Sequence, residues 1–261
     1  MAFTKVDEKI YAQYSEYTAF PVHFERLKWI YNVVYNYRNP NETVKVLDVG
    51  CGTGNVTIPL GTIPNSQIDG IDVHQGNIDI SLQRNTFKNV SFKFQYLQDC
   101  DISQYDFIVL TEVLEHIPNY KEILSYIAKN GKPTVQFLLT IPNGRGPFEI
   151  SQQPLYAMRR MGMNDFIWKV KKTLGKKEPY SQNYDTPHVN FFTVKQLRND
   201  LKSFNMKMAE IVNAHVVSPI LETYLPFIPL KNIADIDNAI AQKLPAALAS
   251  GWYFRIVMDK K

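Results

Sequence analysis

Apolar residues recur at helical spacing early in the chain, at Phe20, Phe24, Leu27, Trp29, Ile30, Val33 and Val34, until Asn39-Pro40-Asn41 interrupts them. Residues 1–40 are therefore expected to form a helical segment. The period then changes. Val44 to Val49 is a short apolar and β-branched run that stops at Gly50-Cys51-Gly52-Thr53-Gly54, and similar runs follow at Gln67 to Asp72, Val90 to Tyr96, Tyr105 to Leu110 and Thr134 to Ile141. The intervening segments are long enough for crossover helices, so the alternation predicts a parallel sheet covered by helices on both faces. Two later runs, Met208 to Val217 and Trp252 to Met258, bring the strands to seven. The last, at the chain end, is expected to join antiparallel at the sheet edge.

Two stretches depart from the alternation and read as insertions, 144–190 and 218–250. The first carries eight Lys and Arg residues and is expected to form a helical cap. Within it Asn164 opens a pattern with apolar positions 166, 167, 170 and 174 and lysines opposite. A helix over 164–177 would make peripheral contact with an anionic membrane, close over a phosphate-bearing acceptor, or simply pack its apolar stripe on the domain.

Composition adds limits. With 261 residues, 45% hydrophobic and 21% charged, the chain fits one decorated domain over 1–261 and excludes a disordered, collagen-like or coiled-coil protein. No apolar run reaches a membrane-spanning length, the first residues lack the apolar block of a signal peptide, and only Cys51 and Cys100 occur, so a cytoplasmic location is expected. The net charge of +4 does not by itself indicate nucleic acid.

The chemistry starts at the glycine turn. A strand ending in an acid and followed by Gly-x-Gly-x-Gly lets the backbone approach a bound molecule without Cβ interference. A dinucleotide fingerprint would need glycine at position 55, where Asn55 stands, and Asp48 would repel a pyrophosphate. Asp48 suits a cationic amino group instead, and Asp72, 18 positions after Gly54, suits ribose hydroxyls. Together they suggest S-adenosylmethionine.

On Val46 to Asn55, on Asp72, and on Tyr105-Asp106 followed by Glu112-Val113-Leu114-Glu115-His116, the chain resembles the class I methyltransferases. The resemblance implies a single α/β domain, with a seven-stranded, mostly parallel Rossmann-like sheet, the last strand antiparallel and an inserted helical cap. It implies that Asp48 holds the methionine amino group and that Gly50, Cys51, Gly52 and Gly54 border methionine and ribose. Asp72 would bind ribose, Val73 would lie under adenine, Asp99 with Cys100 would meet the adenine amino group, and Thr111 would complete the pocket. Asp101 competes with Asp99 for its role.

Methyl transfer to a hydroxyl needs positioning and proton removal. Glu112, Glu115 and His116 stand at i, i+3 and i+4, which on a helix would put them on one face at metal-ligand spacing. His188 is available far downstream. This set is similar to that of the small-RNA 2′-O-methyltransferases and, in its first half, of the ubiquinone-pathway O-methyltransferases. The likeness implies a Mg²⁺, Mn²⁺ or Zn²⁺ site at Glu112, Glu115, His116 and His188. The alternatives are His116 or His188 as a metal-free general base, or carboxylates that only cap a helix.

After the fifth strand, Asn143 and Arg145 are placed to reach an acceptor, and the Pro-Asn-Gly-x-Gly-Pro-Phe-Glu run looks like that of bacterial methyltransferases associated with surface polysaccharides or glycolipids. Tyr11, Tyr14 and Tyr17 would form a lid or pack against the insertion. The expected function is O-methylation of a small molecule, sugar or lipid-linked glycan. An RNA acceptor and a non-catalytic binding module are the alternatives.

Overall fold

The computed structural model describes residues 4–173, 188–225, 228 and 230–259. Helix α1 (Pro21–Tyr37) begins with proline in its first turn, where no N–H is needed, and buries Leu27, Ile30, Tyr31, Val33 and Val34. Strand β1 (Val44–Val49) is buried on both faces, which is why it reads as a continuous apolar run. There follow α2 (Thr57–Leu60), β2 (Ser66–Asp72), α3 (Gln75–Arg84), β3 (Val90–Phe94), β4 (Phe107–Thr111), α4 (Tyr120–Asn130) and β5 (Gln136–Pro142). Helices α5 (Pro147–Arg160) and α6 (Asn164–Thr173) belong to the first insertion. Helix α7 (Val194–Ser203) is capped by Thr193, whose hydroxyl accepts from the Gln196 N–H, and leads to β6 (Met206–Ala214). Helices α8 (Ser218–Tyr224) and α9 (Lys231–Ala241) fill the second insertion before β7 (Gly251–Met258).

The strands form one sheet in the order β3-β2-β1-β4-β5-β7-β6. Strands β1 to β5 pair in parallel, and β7 runs antiparallel to both neighbours. It therefore lies between β5 and β6, not at the edge. The reason is its burial: Trp252, Tyr253, Phe254 and Ile256 are all covered, whereas β6 shows the mixed exposure of an edge strand. One apolar core lies on each face, one involving α1 and the other α4 and α7. Among the described residues no helix is long and apolar enough to cross a membrane.

Of the expected basic helix, residues 164–173 are helical and 174–177 lie outside the described residues, as does the rest of the segment to Pro187. Ile167 is buried, while Phe166 and Val170 remain exposed, so the apolar stripe packs only in part.

Candidate active site

The glycine turn leaves the C-terminal end of β1. Gly50, Gly52 and Gly54 all have positive φ, at 71°, 54° and 81°, a conformation that other residues adopt only with strain. At Gly52 a Cβ would meet nothing within 4 Å, so on that side the turn faces open space and not packed protein. The Gly52 N–H donates to Asp72 Oδ2 and the His74 N–H to Asp72 Oδ1, each at 2.8 Å. Each carboxylate oxygen keeps acceptor capacity for a ribose hydroxyl.

Asp48 is fully buried beneath the turn. Its Oδ2 accepts from the Thr57 hydroxyl at 2.6 Å, and its Oδ1 has no partner. Burial raises its carboxyl to about 7, with Asp72 adding to the rise and the Thr57 bond opposing it. A buried, half-satisfied carboxylate of this kind fits the cationic amino group of S-adenosylmethionine. Val73 is 54% exposed just past Asp72 and offers an apolar surface beside the crevice. Asp99 is exposed, whereas the Asp101 carboxylate accepts from the Ser103 N–H and hydroxyl. Asp101 is exposed as well, and both remain candidates for the adenine amino group. Cys51 and Cys100 are buried thiols, and Thr111 ends β4 half-buried opposite Thr140.

Asn55, which stands where a dinucleotide motif has glycine, ties the turn down. It accepts from Arg84 Nη2 at 2.9 Å and from the Glu16 N–H at 3.0 Å. The N-terminal segment therefore lies over the glycine turn. Tyr11 stacks on Tyr31 with centroids 4.1 Å apart, and Tyr14 packs on Phe87 at 4.7 Å. Burial pushes the Tyr17 phenol up, with Arg26 opposing and Asp48 and Glu112 among the charges around it.

The second cluster lies beyond β4. Glu115, His116 and His188 converge, with one ligand atom from each within 4.8 Å of the others. Glu115 is fully buried, and neither of its oxygens has a hydrogen-bond partner. Burial, reinforced by Glu112, pushes its carboxyl well above the usual range. The rings of His116 and His188 meet edge to face at 5.0 Å. His188 Nδ1 lies 2.7 Å from Glu149 Oε1, a carboxylate that α5 supplies. The loop before α7 is held in place by the Val189 and Asn190 N–H groups, which both donate to the Glu115 carbonyl.

Two expected residues do not join this chemistry. Glu112 has φ +54° and precedes the 3₁₀ turn at Leu114–His116, so it leaves the helical face that the i, i+3, i+4 spacing assumes. Its carboxylate instead accepts from the Thr140 hydroxyl at 3.0 Å and pairs with Arg26 at 3.6 Å. Asn143 is 2% exposed and donates to the carbonyls of Ala247 and Ala249, so it pins the loop to the second insertion and does not face an acceptor. Arg145 is exposed at the surface.

Sequence reasoning missed Arg26, Glu149 and Glu16. Glu149 lies inside the glycine-containing run already singled out, but no local spacing ties it to His188, 39 positions away. Arg26 sits on the otherwise apolar buried face of α1, and that polar interruption was the available signal.

Comparison with known proteins agrees with this geometry. The profile of a family described as "Methyltransferase domain" matches residues 22–211. Ubiquinone biosynthesis O-methyltransferase of Rickettsia bellii is 33% identical over 113 residues, 41% of this chain and 46% of that protein. The mitochondrial protein of the same name from Dictyostelium discoideum is 31% identical over 108 residues, 36% and 34% of the two chains. The chain thus spans about half or less of the length of these curated relatives. Among solved structures, a putative S-adenosylmethionine-dependent methyltransferase from Listeria monocytogenes matches 93% of this chain and 99% of its own, at TM-score 0.55 and 12% identity. Magnesium protoporphyrin IX methyltransferase from Synechocystis, solved with bound S-adenosylhomocysteine, matches 98% and 90%, at TM-score 0.54 and 13% identity.

Proposed function

The chain belongs to the methyltransferase-domain family and is an S-adenosylmethionine-dependent methyltransferase; from that premise we propose that it methylates a hydroxyl oxygen of a small molecule, a sugar or a lipid-linked glycan. The observation that carries the reading is the pairing of the Asp48–Asp72 crevice with the buried Glu115, His116 and His188 cluster one strand away. The first fits the donor. The second offers a place for a cation that would make an acceptor hydroxyl more acidic.

In this reading the chain is one methyltransferase domain, and its segments 144–190 and 218–250 cap the acceptor side. Asp48 binds the donor's amino group, Asp72 its ribose, and Asp99 its adenine. Glu115, His116 and His188 fit a divalent cation, Mg²⁺, Mn²⁺ or Zn²⁺: the buried Glu115 oxygens accept no hydrogen bond and have His116 Nε2 at 3.9 Å from Oε1, and Glu149 on His188 Nδ1 leaves Nε2 to ligate. Such a cation would act as a Lewis acid on an acceptor oxygen. Exposed Phe166 and Val170 beside Lys169 on α6 support a peripheral membrane contact for a lipid-linked acceptor. The two free, buried cysteines accord with a cytoplasmic protein.

Transfer of tritiated methyl from S-adenosylmethionine tests the reading, with a methanol-soluble and lipid extract in one arm and total RNA in the other. Label is expected in the extract. Label confined to RNA would replace the acceptor with a nucleic acid, and transfer to neither would leave only a binding module.

A further inference from the structure

Among the described residues, four that are not glycine have positive φ: Asn65, Asn205, Glu112 and His215. The two asparagines stand in turns just before β2 and β6, where asparagine tolerates the left-handed conformation. Glu112 and His215 are different. They follow the ends of β4 and β6, and both line the same cavity. Backbone held in this region by bulkier residues gathers at ligand sites.

The cavity has a volume of about 140 Å³ and lies between α1, the ends of β4 and β6, α5 and the start of β7. That is close to the ~150 Å³ that houses a benzene-sized ring. Since Glu112 follows the strand paired with β1, the cavity opens one strand away from the crevice beneath which Asp48 is buried.

His215 is 2% exposed, and neither ring nitrogen has a hydrogen-bond partner. Its Nδ1 lies 3.6 Å from Asp237 Oδ2. Asp237 is itself fixed, accepting from the N–H groups of Val216, Val217 and Ser218. Burial alone would raise the Asp237 carboxyl, but His215 and these backbone donors outweigh it and hold it below the usual range. With Nδ1 toward the carboxylate, the Nε2 lone pair is the basic one; both nitrogens are closed to solvent in the free protein, so the ring must shift toward the cavity when an acceptor enters. The other charged or titratable groups that share this cavity are His23 and Arg26 from α1, Glu112, Glu222 from α8, and Tyr253 from β7.

We infer that this cavity is the acceptor site and that His215, oriented by Asp237, is the general base for the acceptor hydroxyl. The inference rests on the reading of the chain as an O-methyltransferase. In the step, the acceptor oxygen forms a C–O bond to the donor's methyl carbon as the C–S bond breaks. The sulfur keeps that electron pair and leaves as the neutral thioether, and the hydroxyl proton passes to His215 Nε2. Water then takes it away. The 3.6 Å Nδ1–Asp237 distance is longer than a hydrogen bond and tightens as the ring gains charge.

The test measures tritiated-methyl transfer into the same extract from pH 6.5 to about 9.5, alongside S-adenosylhomocysteine calorimetry and thermal melts. His215→Gln should lose about 100-fold in transfer at neutral pH. Its affinity for S-adenosylhomocysteine should stay within about twofold of wild type, and toward a phenolic acceptor, which begins to ionise in this range, the deficit should shrink as pH rises. Added imidazole should partly restore His215→Ala. Should both variants fail to fold, Thr223→Phe, which fills the cavity from α8, serves instead and should abolish transfer with product affinity intact. A folded His215→Gln within about threefold of wild type, a deficit toward a phenolic acceptor that ignores pH, or a Thr223→Phe enzyme that works normally would each overturn the inference. A wild type that binds the product but labels no small molecule would instead overturn the O-methyltransferase reading beneath it.

Discussion

The two halves of the sheet's C-terminal edge are built by different means. On the β1–β3 side the site is mostly backbone: three glycines at positive φ, an N–H on Asp72, and an acid at a strand end, all between positions 48 and 72. On the β4–β7 side it is side chains, drawn from α1, α5, the loop before α7, and the second insertion. The first construction suits a ligand whose features never change. The second can be varied residue by residue, as suits the proposed acceptor side.

The contrast is sharpest in affinity for S-adenosylhomocysteine. Asp72→Ala should weaken it by roughly 100-fold or more, from two charge-assisted hydrogen bonds at about 1.5 kcal/mol each. His188→Ala, on the other side, should leave it unchanged. Calorimetry of both variants separates the halves, and an equal loss would merge them.

The pH response of donor binding follows from Asp48. Its folded carboxyl is raised to about 7, so below that pH the free protein carries a proton that the ligand's ammonium must displace. Affinity should be flat above pH 7 and fall by up to about tenfold per unit below it. The same shift opposes folding: the native state holds this proton more tightly than the unfolded chain. The native state therefore loses stability as pH rises from about 4 to 7, and Asp48→Asn should melt higher than wild type at pH 8 but not at pH 4.

The acceptor side should respond to metal and the donor side should not. Mn²⁺ or Zn²⁺ at about 100 times its Kd would add about 2.7 kcal/mol to the stability of wild type, a rise of several degrees in Tm. His188→Ala should lose that rise, and a wild-type melt indifferent to both ions would remove the cation from the account. The smallest effect concerns adenine. Asp99→Ala should weaken product binding about tenfold, while Asp101→Ala, whose carboxylate is already engaged by Ser103, should not change it.

The same division explains what the sequence could disclose. The glycine turn and Asp72 are legible because their function is local: the residues that act together are neighbours in the chain or one strand apart. The parallel strands are legible because burial on both faces leaves continuous apolar runs. Glu112 is misread because the i, i+4 argument presupposes a helix, and its positive φ breaks that helix before it begins. Asn143 is misread because its hydrogen bonds go to carbonyls more than 100 positions away. His215 and Asp237 carry no motif at all. Only the docking of α9 beneath the end of β6 makes them a pair.

The central claim is that the donor crevice discharges into the cavity lined by Glu112 and His215. A crystal structure grown with S-adenosylhomocysteine tests it most directly. The account predicts the amino group on Asp48, the ribose on Asp72, and the sulfur directed toward that cavity. An empty crevice, or a sulfur facing away from Glu112 and His215, would contradict it.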